Sequence, residues 1–217
     1  MLPRHIPSVN RPTRDDVARL AGVSNATVSN VLNRAGTVRV SERIRERVLR
    51  CASQLGYRQN RLAASLVKGR TKTLGVVISD ISGSYYSLIL QGIEKKCAEQ
   101  NYLVIPVFAP DVEIGCQRTQ LLVQEQVAGL IILGNRSPRE IREWIEIALR
   151  LQTPAILVDQ RFPSGNVDCV YTDDFRGGMQ ATEHLLRLGH RRIGLLAGLL
   201  EFTTVQDRKA GYEAALR

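Results

Sequence analysis

Seven residues near the amino terminus, SNATVSN at positions 24–30, combine hydroxyl, amide and small apolar side chains without a single charge. In a helix, Asn25, Ala26 and Asn30 would lie on the face opposite Val28 and Val31. An asparagine amide pairs with an adenine edge through two hydrogen bonds, and an alanine methyl group contacts the methyl group of thymine. The residues alone allow two interpretations, a helix that enters the major groove of DNA or an ordinary helical hairpin.

Hydroxyl groups beside these positions have the chemistry to contact the DNA backbone. Ser24, Thr27 and Ser29 can donate hydrogen bonds to phosphate oxygens, which fix the register of a protein on a duplex without reading its sequence. Asn33, at the end of the same segment, and Tyr57, further along the chain, complete the predicted DNA-contacting residues of this region.

The distribution of charge favours an anionic partner for the first third of the chain. The sequence has 217 residues and a formal net charge of +9. Residues 1–70 contain 14 basic and four acidic residues, whereas residues 71–217 contain 16 basic and 17 acidic residues. The positive excess therefore lies in the first segment, where a polyanion such as nucleic acid is its natural partner. A charge excess that served solubility alone would not be confined in this way.

Two short helices separated by a turn would position the SNATVSN stretch. The first is predicted to begin at Thr13, with Asp16 as its capping-box partner, and to end at Gly22. The second is predicted to begin after Ser24, which acts as its N-cap. The apolar residues expected to face the helical core are Val17, Leu20, Ala21, Val23, Val28, Val31 and Leu32.

A third helix is predicted between Ser41 and Gly56. Its apolar face would consist of Ile44, Val48, Leu49, Ala52 and Leu55. Three helices with a short turn between the first two form a helix-turn-helix headpiece, which we assign to residues 1–58. Residues 59–70 are predicted to be a linker, because a helix this short is marginal in water by itself.

From residue 71 onward, the sequence alternates patterns typical of buried strands and of helices. The first series predicts strands at 73–79, 102–109, 128–133 and 154–159, and helices at 84–100, 113–126 and 138–151. The second series predicts strands at 168–173 and 192–198, and helices at about 174–188 and 204–216. The expected fold class is an all-α headpiece followed by an α/β core with parallel sheets, divided into an N-terminal subdomain (71–160) and a partial C-terminal subdomain (161–217).

Several kinds of site are disfavoured by the sequence. The cysteines at positions 51, 97, 116 and 169 form neither CxxC nor a Cys/His ligand pattern, so neither a zinc site nor a disulfide framework is expected. No apolar run approaches the ~18–20 residues of a membrane span, and no secretory signal is visible, so we expect a cytoplasmic protein. Neither GxGxxG nor GxxxxGK(S/T) follows the first core strand, so we expect no cofactor and no enzymatic activity.

A candidate ligand site follows that first core strand. Asp80 ends the strand, and the segment DISGSYY (80–86) forms the loop after it. Loops at the carboxyl ends of parallel strands line the ligand crevices of open α/β sheets. Tyr85 and Tyr86 carry rings that can stack on a sugar or a base, so we predict that both contact a small-molecule ligand.

Several segments together resemble the LacI/GalR family of bacterial transcription regulators. They are TRDDVARLAGVSNATVSNVLN (13–33), LGYRQNRLAASLVKGRT (55–71), DISGSYY, VAGLIIL, LVDQ and LGHRRIGLLAG (188–198). The resemblance begins at about residue 13 and continues to the end of the sequence. It implies a DNA-binding headpiece, a hinge helix and a two-subdomain effector core similar to periplasmic sugar-binding proteins.

For the DNA-binding part, the resemblance implies roles for individual residues. Asn25 and Ala26 match the two positions that vary most with the chosen operator, and Asn30 matches a third position that faces bases or phosphates. Leu66 matches the hinge leucine that wedges into the minor groove, with Asn60, Arg61 and Ala63 beside it. An apolar wedge can part a base step and kink the duplex. The sequence departs from the family pattern at residue 59, where glutamine stands in place of the frequent proline.

For the core, the resemblance implies effector contacts from Asp159 and Arg208 in addition to Tyr85 and Tyr86. Asp159 has the alternative of a helix cap or surface carboxylate, and Arg208 that of a surface cation. Gly83 and Ser84 stand where the family usually has Asn-Pro. The resemblance implies a homodimeric repressor that binds a palindromic operator under the control of a sugar or related metabolite.

Two other functions fit parts of the sequence, that of a periplasmic-type sugar-binding protein and that of an α/β enzyme. The basic first segment and the lack of a visible signal argue against the first, and the missing nucleotide-binding motifs argue against the second. Family members continue for roughly another hundred residues after the matched region. We therefore expect the second subdomain to be incomplete in this chain, and residues 1–217 alone to bind effector poorly.

Overall fold

The computed structural model describes residues 12–33, 40–58, 71–79, 83–134, 136–162 and 167–217. The chain divides into two compact units, residues 1–68 and residues 69–217, which we call the headpiece unit and the core unit. The predicted hinge at 59–70 lies outside the described residues, and with it Asn60, Ala63 and Leu66. Within the described part of the chain, no helix has the length and apolar character to span a membrane.

Helix α1 (Arg14–Ala21) begins with a capping box. The Thr13 hydroxyl oxygen accepts a hydrogen bond from the Asp16 N–H (3.3 Å), and the Thr13 N–H donates to the Asp16 carboxylate (2.9 Å). These bonds satisfy amide groups that the first turn of a helix leaves without partners. The helix ends at Gly22, whose φ of 61° lies in the left-handed region and lets the chain turn toward the next helix. The predicted start and end of this helix are confirmed.

Helices α2 (Asn25–Asn33) and α3 (Glu42–Gln54) pack with α1 around one small apolar core. The buried residues of this core are Val17, Ala18, Ala21, Val28, Val31, Val48 and Ala52, and Val23, Ile44, Leu32 and Leu55 pack against them. Two predicted core residues are wrong, because Leu20 and Leu49 are 47% and 46% exposed. A unit of three short helices covers only a narrow stripe of each helix, so apolar residues beside that stripe remain in water.

The core unit contains a five-stranded parallel sheet in the order β2-β1-β3-β4-β5, covered by helices. Its elements are β1 (Thr73–Ile78), α4 (Ser84–Glu99), β2 (Leu103–Phe108), α5 (Val112–Gln124), β3 (Gly129–Leu133), α6 (Pro138–Arg150), β4 (Ala155–Val158), β5 (Asp168–Val170), α7 (Asp174–Arg187) and α8 (Thr203–Leu216). The central strands are registered with Val77 of β1 beside Val107 of β2 and Ile132 of β3. Every helix predicted in this unit is confirmed to within two residues at each end.

Helices α5 and α6 pack closely against each other. Trp144 is fully buried, and its indole N–H donates a hydrogen bond to the Val112 carbonyl oxygen (3.0 Å). A Cβ atom at Gly115 would lie 2.0 Å from the Trp144 ring, so only glycine allows the indole to lie against this helix. Ile141, Ile145 and Ala148 of α6 are buried in the same cluster.

Two strand predictions for the last third of the chain require correction. The strand predicted at 168–173 is shorter, at Asp168–Val170, and pairs with β4 as an edge of the same sheet. The strand predicted at 192–198 is wrong, because residues 190–199 form no helix or strand, and Leu196 is fully exposed. An apolar β-branched or leucine-rich run becomes a strand only where a neighbouring strand accepts its backbone hydrogen bonds, which the sequence pattern cannot reveal.

Candidate nucleic-acid interface and ligand cluster

The leading turn of α2 presents its first residues to solvent on a capped helix end. The Ser24 hydroxyl oxygen accepts a hydrogen bond from the Thr27 N–H (3.2 Å) and also lies 2.9 Å from the Thr27 hydroxyl oxygen. This satisfies one of the free amides of the helix end, so Ser24 is the N-cap that the sequence predicts. Asn25 and Ala26, the next two residues, are exposed. The structure therefore leaves the two predicted base-reading side chains free of the apolar core.

The other predicted DNA contacts are less uniformly placed. Ser29 and Asn30 are half-buried on α2, and Asn33 is the last residue of that helix. Tyr57 is half-buried and packs against the headpiece core, while its N–H donates a hydrogen bond to the Ala52 carbonyl oxygen (2.8 Å). Tyr57 thus has a packing role in the headpiece unit, and its contact with DNA stays a prediction.

In the core unit, the structure brings together three of the four predicted effector residues by direct hydrogen bonds. The Tyr85 hydroxyl donates to Asp159 Oδ1 (2.7 Å), and the Tyr86 hydroxyl donates to Asp159 Oδ2 (3.1 Å). The two tyrosine rings meet edge to face, with centroids 5.1 Å apart and an interplanar angle of 71°. Asp159 follows β4, whereas both tyrosines lie in the first turn of α4, so the contact joins residues more than 70 positions apart.

Asp159 is held in an unusual backbone conformation at the carboxyl edge of the sheet. Its φ is 72°, in the left-handed region, and its side chain is buried with only 9% of the residue exposed. The Asp159 N–H donates to the Val170 carbonyl oxygen (2.8 Å), and the next residue, Gln160, donates from Nε2 to the Gly134 carbonyl oxygen (2.8 Å). These bonds fix the chain on both sides of the carboxylate, and they argue against the alternative that Asp159 is a surface carboxylate.

The pKa of Tyr85 is raised to about 12, most of all by burial and also by the hydrogen bond to Asp159 and the negative charge of that residue. The negative charge of Asp174 also raises this pKa, whereas the positive charge of Arg208 lowers it. Because Asp174 and Arg208 form a pair and both charges act on Tyr85, we group Asp174 with the four predicted effector residues and call the set the Tyr–Asp–Arg cluster: Tyr85, Tyr86, Asp159, Asp174 and Arg208.

Arg208 reaches this cluster as half of an ion pair. Its Nε donates to Asp174 Oδ1 (2.7 Å), and the Thr172 hydroxyl donates to Asp174 Oδ2 (3.3 Å). Asp174 is only 8% exposed, whereas the Arg208 side chain is 54% exposed. Arg208 is therefore a partly exposed cation paired with a nearly buried carboxylate, and its contact with an effector stays a prediction. Because one partner is nearly buried, breaking the pair would leave a desolvated carboxylate without its cation.

A close approach of two helices sets the position of Arg208. A Cβ atom at Gly178 of α7 would lie 2.3 Å from the Arg208 carbonyl oxygen. A Cβ atom at Gly211 of α8 would lie 2.0 Å from the Phe175 carbonyl oxygen. Neither contact tolerates a side chain, so the two glycines allow α7 and α8 to pack backbone against backbone and bring Arg208 beside Asp174.

The chemistry of the cluster suits a ligand with several hydroxyl groups. Carboxylate oxygens accept hydrogen bonds from ligand hydroxyls, the guanidinium donates, and the tyrosine rings offer apolar faces. A cleft of about 670 Å³ adjoins the cluster at Asp174 and is also lined by Arg161, Tyr171 and Asp207. Arg161 and Asp207 form an ion pair across it. Within the described residues, no group of histidine, cysteine, aspartate or glutamate side chains is arranged to hold a metal ion.

Two residues that contact the candidate sites were not predicted from the sequence. Asp174 was not among the predicted contacts, although the acidic pair Asp173–Asp174 follows a strand and begins a helix, where carboxylates are stabilised by the helix dipole. Asp15 was not among the predicted contacts either, but its carboxylate accepts a hydrogen bond from the Asn25 side-chain amide. No sequence signal predicts the second contact, because it depends on the angle between α1 and α2.

Comparison with known proteins identifies the family to which both units correspond. Residues 13–60 match the family described as bacterial regulatory proteins, lacI family. Residues 71–217 match periplasmic binding proteins and the sugar binding domain of the LacI family. The chain belongs to the LacI family. The resemblance inferred from the AGVSxxTVSxVLN and GHRRI segments is thereby confirmed, together with the fold of a helical headpiece and an α/β core.

Among its relatives in this family are curated repressors and solved regulators. The chain is 35% identical to the ribose operon repressor of Haemophilus influenzae over 205 residues, which cover 94% of the chain and 60% of the relative. It is 31% identical to the transcriptional repressor PurR of the same species, over 94% of the chain and 60% of the relative. The chain thus spans about three fifths of the length of the curated relatives it matches.

Solved structures of the same family share the fold over nearly the whole chain. The lac repressor dimer bound to operator and the anti-inducer ONPF matches with a TM-score of 0.80 and 29% identity, covering 95% of this chain and 62% of the repressor chain. A complex of the transcriptional regulator CelR with cellobiose matches with a TM-score of 0.61 and 29% identity, covering 95% of this chain and 61% of the other.

Proposed function

We propose that this chain belongs to a sequence-specific DNA-binding repressor of transcription, whose headpiece reads an operator and whose core responds to a small molecule. The observation that carries the proposal is the exposed pair Asn25 and Ala26 on the capped leading turn of α2. Uncharged side chains at this place are suited to base edges, and the basic residues around them supply affinity for phosphate. The ribose operon repressor and the repressor PurR, the two curated relatives named above, support the same function.

The proposal includes the partners and the location. A homodimer on a palindromic operator would place two α2 helices at half-sites one or more helical turns apart. Ser24, Thr27, Ser29, Asn30 and Asn33 would contact phosphates or bases from α2, with Tyr57 beyond α3. Asn60, Ala63 and Leu66 would serve the hinge, with Leu66 as the minor-groove wedge. A repressor of this kind acts in the cytoplasm and is not an enzyme.

For the core, we propose a sugar or a related polyhydroxylated metabolite as the effector, bound by Tyr85, Tyr86, Asp159 and Arg208, with Asp174 added by the structure. The support is the convergence of two carboxylates, two phenols and one guanidinium. The two phenols use one acceptor position on each oxygen of the Asp159 carboxylate, and a ligand hydroxyl would donate to one of the acceptor positions that remain. The effector would act by favouring one of two states that differ in operator affinity.

The test of DNA reading is selection from a library of palindromic duplexes with randomised half-sites, followed by binding measurements at several salt concentrations. We expect a defined consensus, an affinity for it at least about 1000-fold above that for random DNA, and a steep fall of both affinities with salt. Asn25→Ala should weaken the preference for the consensus. Gln54→Ala, which removes another exposed amide from the headpiece unit, is the matched control and should leave the preference unchanged. Equal binding of random and selected DNA would contradict the proposal.

The test of the effector uses the selected operator and a panel of sugars that includes ribose and cellobiose, with purines as a second class. An effector should change operator affinity in the wild-type chain, and this change should be lost in Asp159→Asn and Arg208→Ala while the DNA consensus stays the same. A response that survives both substitutions would exclude the Tyr–Asp–Arg cluster as the effector site.

A further inference from the structure

The side chain of Asn25 is not free in the headpiece unit, because its amide nitrogen donates a hydrogen bond to the carboxylate of Asp15. Asp15 lies in the first turn of α1, ten residues earlier, and both side chains are exposed. The contact therefore crosses between the two helices of the helix-turn-helix on the surface that carries the predicted base contacts. Because both side chains are exposed and neither belongs to the apolar core of the headpiece unit, the pair contributes little to its packing.

The position of Asp15 relative to Asn25 is fixed by the scaffold. The capping box at Thr13 and Asp16 holds the first turn of α1, and Gly22 sets the angle of the turn to α2. Beneath the surface, Val17 and Val28 are fully buried against each other's helices in the headpiece core. The two side chains thus meet because the backbones are held rigidly, and the contact needs little additional ordering.

An ionised carboxylate can only accept hydrogen bonds, whereas an asparagine amide has one accepting and one donating end. Asp15 therefore selects one of the two orientations of the Asn25 amide, with Nδ2 toward α1. The remaining free acceptor, Oδ1, is then available on the outer surface of α2. In the major groove, adenine and cytosine offer an amino group that can donate to Oδ1, while guanine and thymine offer a carbonyl oxygen that would face it.

We propose that Asp15 is a specificity-positioning residue that fixes the amide orientation of Asn25, so that Asn25 selects adenine or cytosine and rejects guanine and thymine at the base it contacts. This inference rests on the proposed DNA-reading function. It also accounts for an acid on a strongly basic surface. Asp15 costs affinity for every phosphate backbone by charge repulsion, and in return it excludes the wrong orientation of the amide.

The decisive variant is Asp15→Asn, which keeps the size of the side chain but offers both a donor and an acceptor. In this variant the Asn25 amide can flip, and Nδ2 can face guanine O6 or thymine O4. We expect the discrimination against guanine and thymine at one position of each half-site to fall by about fivefold or more, with other positions unchanged. Glu46→Gln is the matched control, since it also neutralises one exposed acid of the headpiece unit. It should raise affinity for all DNA without changing the base profile.

A double-mutant cycle separates positioning from charge. In an Asn25→Ala background, Asp15→Asn should change general affinity but should not alter the base profile any further. Measurements use the full chain and a duplex library in which each half-site position is varied in turn. If Asp15→Asn keeps the wild-type base profile at the position that Asn25→Ala affects, or if Glu46→Gln changes the profile equally, the role of Asp15 is wrong while the proposed DNA-reading function stands. If the wild-type chain shows no base preference at all, the inference and the proposed function fail together.

Discussion

The headpiece unit and the core unit assemble their candidate sites in opposite ways. On α2, the residues proposed to read DNA are consecutive or one turn apart, and the most important of them are exposed. In the Tyr–Asp–Arg cluster, the residues come from α4, the end of β4, and α7 and α8, and they satisfy one another by hydrogen bonds and an ion pair. One site is a local surface, whereas the other exists only after the whole core unit has packed.

The difference shows which substitutions each site tolerates. A side chain on the surface of α2 can change without loss of packing, so the headpiece can acquire a new base preference at little cost in stability. In the core, Asp159 and Asp174 are buried, and a change at either position leaves polar partners without hydrogen bonds. Specificity for DNA and specificity for the effector are therefore expected to respond differently to single substitutions.

The largest effect is expected from exchanging the two outermost residues of α2, Asn25→Ala with Ala26→Asn. The preferred operator sequence should change. The affinity of the variant for the wild-type operator, relative to its newly preferred operator, should fall by at least about tenfold, because each base contact contributes about 1–3 kcal/mol. Affinity for random DNA should stay within about twofold, because no charge changes. Tyr85→Phe in the core unit is the control and should leave the DNA preference intact. If the exchange leaves the preferred operator sequence unchanged, the first residues of α2 are not the local DNA-reading surface on which the comparison of the two units depends.

The next effect compares neighbouring glycines of α7. Gly178→Ala places a methyl group against the Arg208 carbonyl oxygen and should lower the free energy of unfolding of the core unit by about 1–3 kcal/mol. Gly177→Ala meets no atom within 4 Å and should be neutral or stabilising by up to about 1 kcal/mol. Urea unfolding followed by Trp144 fluorescence reports on the core unit, because the sequence has one tryptophan. Equal stabilities would mean that the close approach of α7 and α8 does not constrain the cluster.

A smaller effect is expected from the caps of the headpiece helices. Thr13→Ala removes a side-chain cap and should lower the stability of the headpiece unit by about 1 kcal/mol. Ser41, the N-cap residue of α3, makes no such hydrogen bond, so Ser41→Ala should cost at most a few tenths of a kcal/mol. Hydrogen exchange of the buried amides of α1 and α3 measures both variants. The prediction is that Thr13→Ala loses more stability than Ser41→Ala, and a larger loss in Ser41→Ala would contradict it.

The smallest effect concerns the titration of the cluster at high pH. The pKa of Tyr85 is raised to about 12 from an ordinary value of 10.0, mainly by burial and by the bond to Asp159. Since the folded value lies above the unfolded one, the contribution of this group to stability is complete below pH 10 and is lost as the pH rises toward 12. Asp159→Asn should lower this pKa, because it removes the negative charge but not the burial.

Absorbance at 295 nm as a function of pH measures this shift. Tyr85→Phe should remove one late-titrating tyrosine from the wild-type curve. A wild-type curve in which every tyrosine ionises near pH 10 would contradict the hydrogen-bonded cluster.

The sequence predicted most elements because their signals are local. Thr13, Gly22, Ser24 and Gly56 mark helix ends by their own side chains or backbone freedom, and each lies at a helix boundary in the structure. The failures have a common cause. Leu20 and Leu49 have the right spacing but lie just beyond the narrow helix interfaces, and residues 192–198 have strand composition without a neighbouring strand. A pattern shows what a segment prefers, and its partners determine whether that preference is met.

The sequence by itself determined the fold and functional class of this protein. The evidence was a run of small uncharged residues, a basic first third and alternating α/β patterns, which are all features of the linear sequence. It also named four of the five residues of the Tyr–Asp–Arg cluster, Tyr85 and Tyr86 from their rings and loop position, and Asp159 and Arg208 through the family resemblance. Only the tertiary structure decided that Tyr85 and Tyr86 share the Asp159 carboxylate, that Asp174 holds Arg208, and that Asp15 holds Asn25. Each of these contacts depends on the angle and distance between separate elements, which packing sets and local sequence does not.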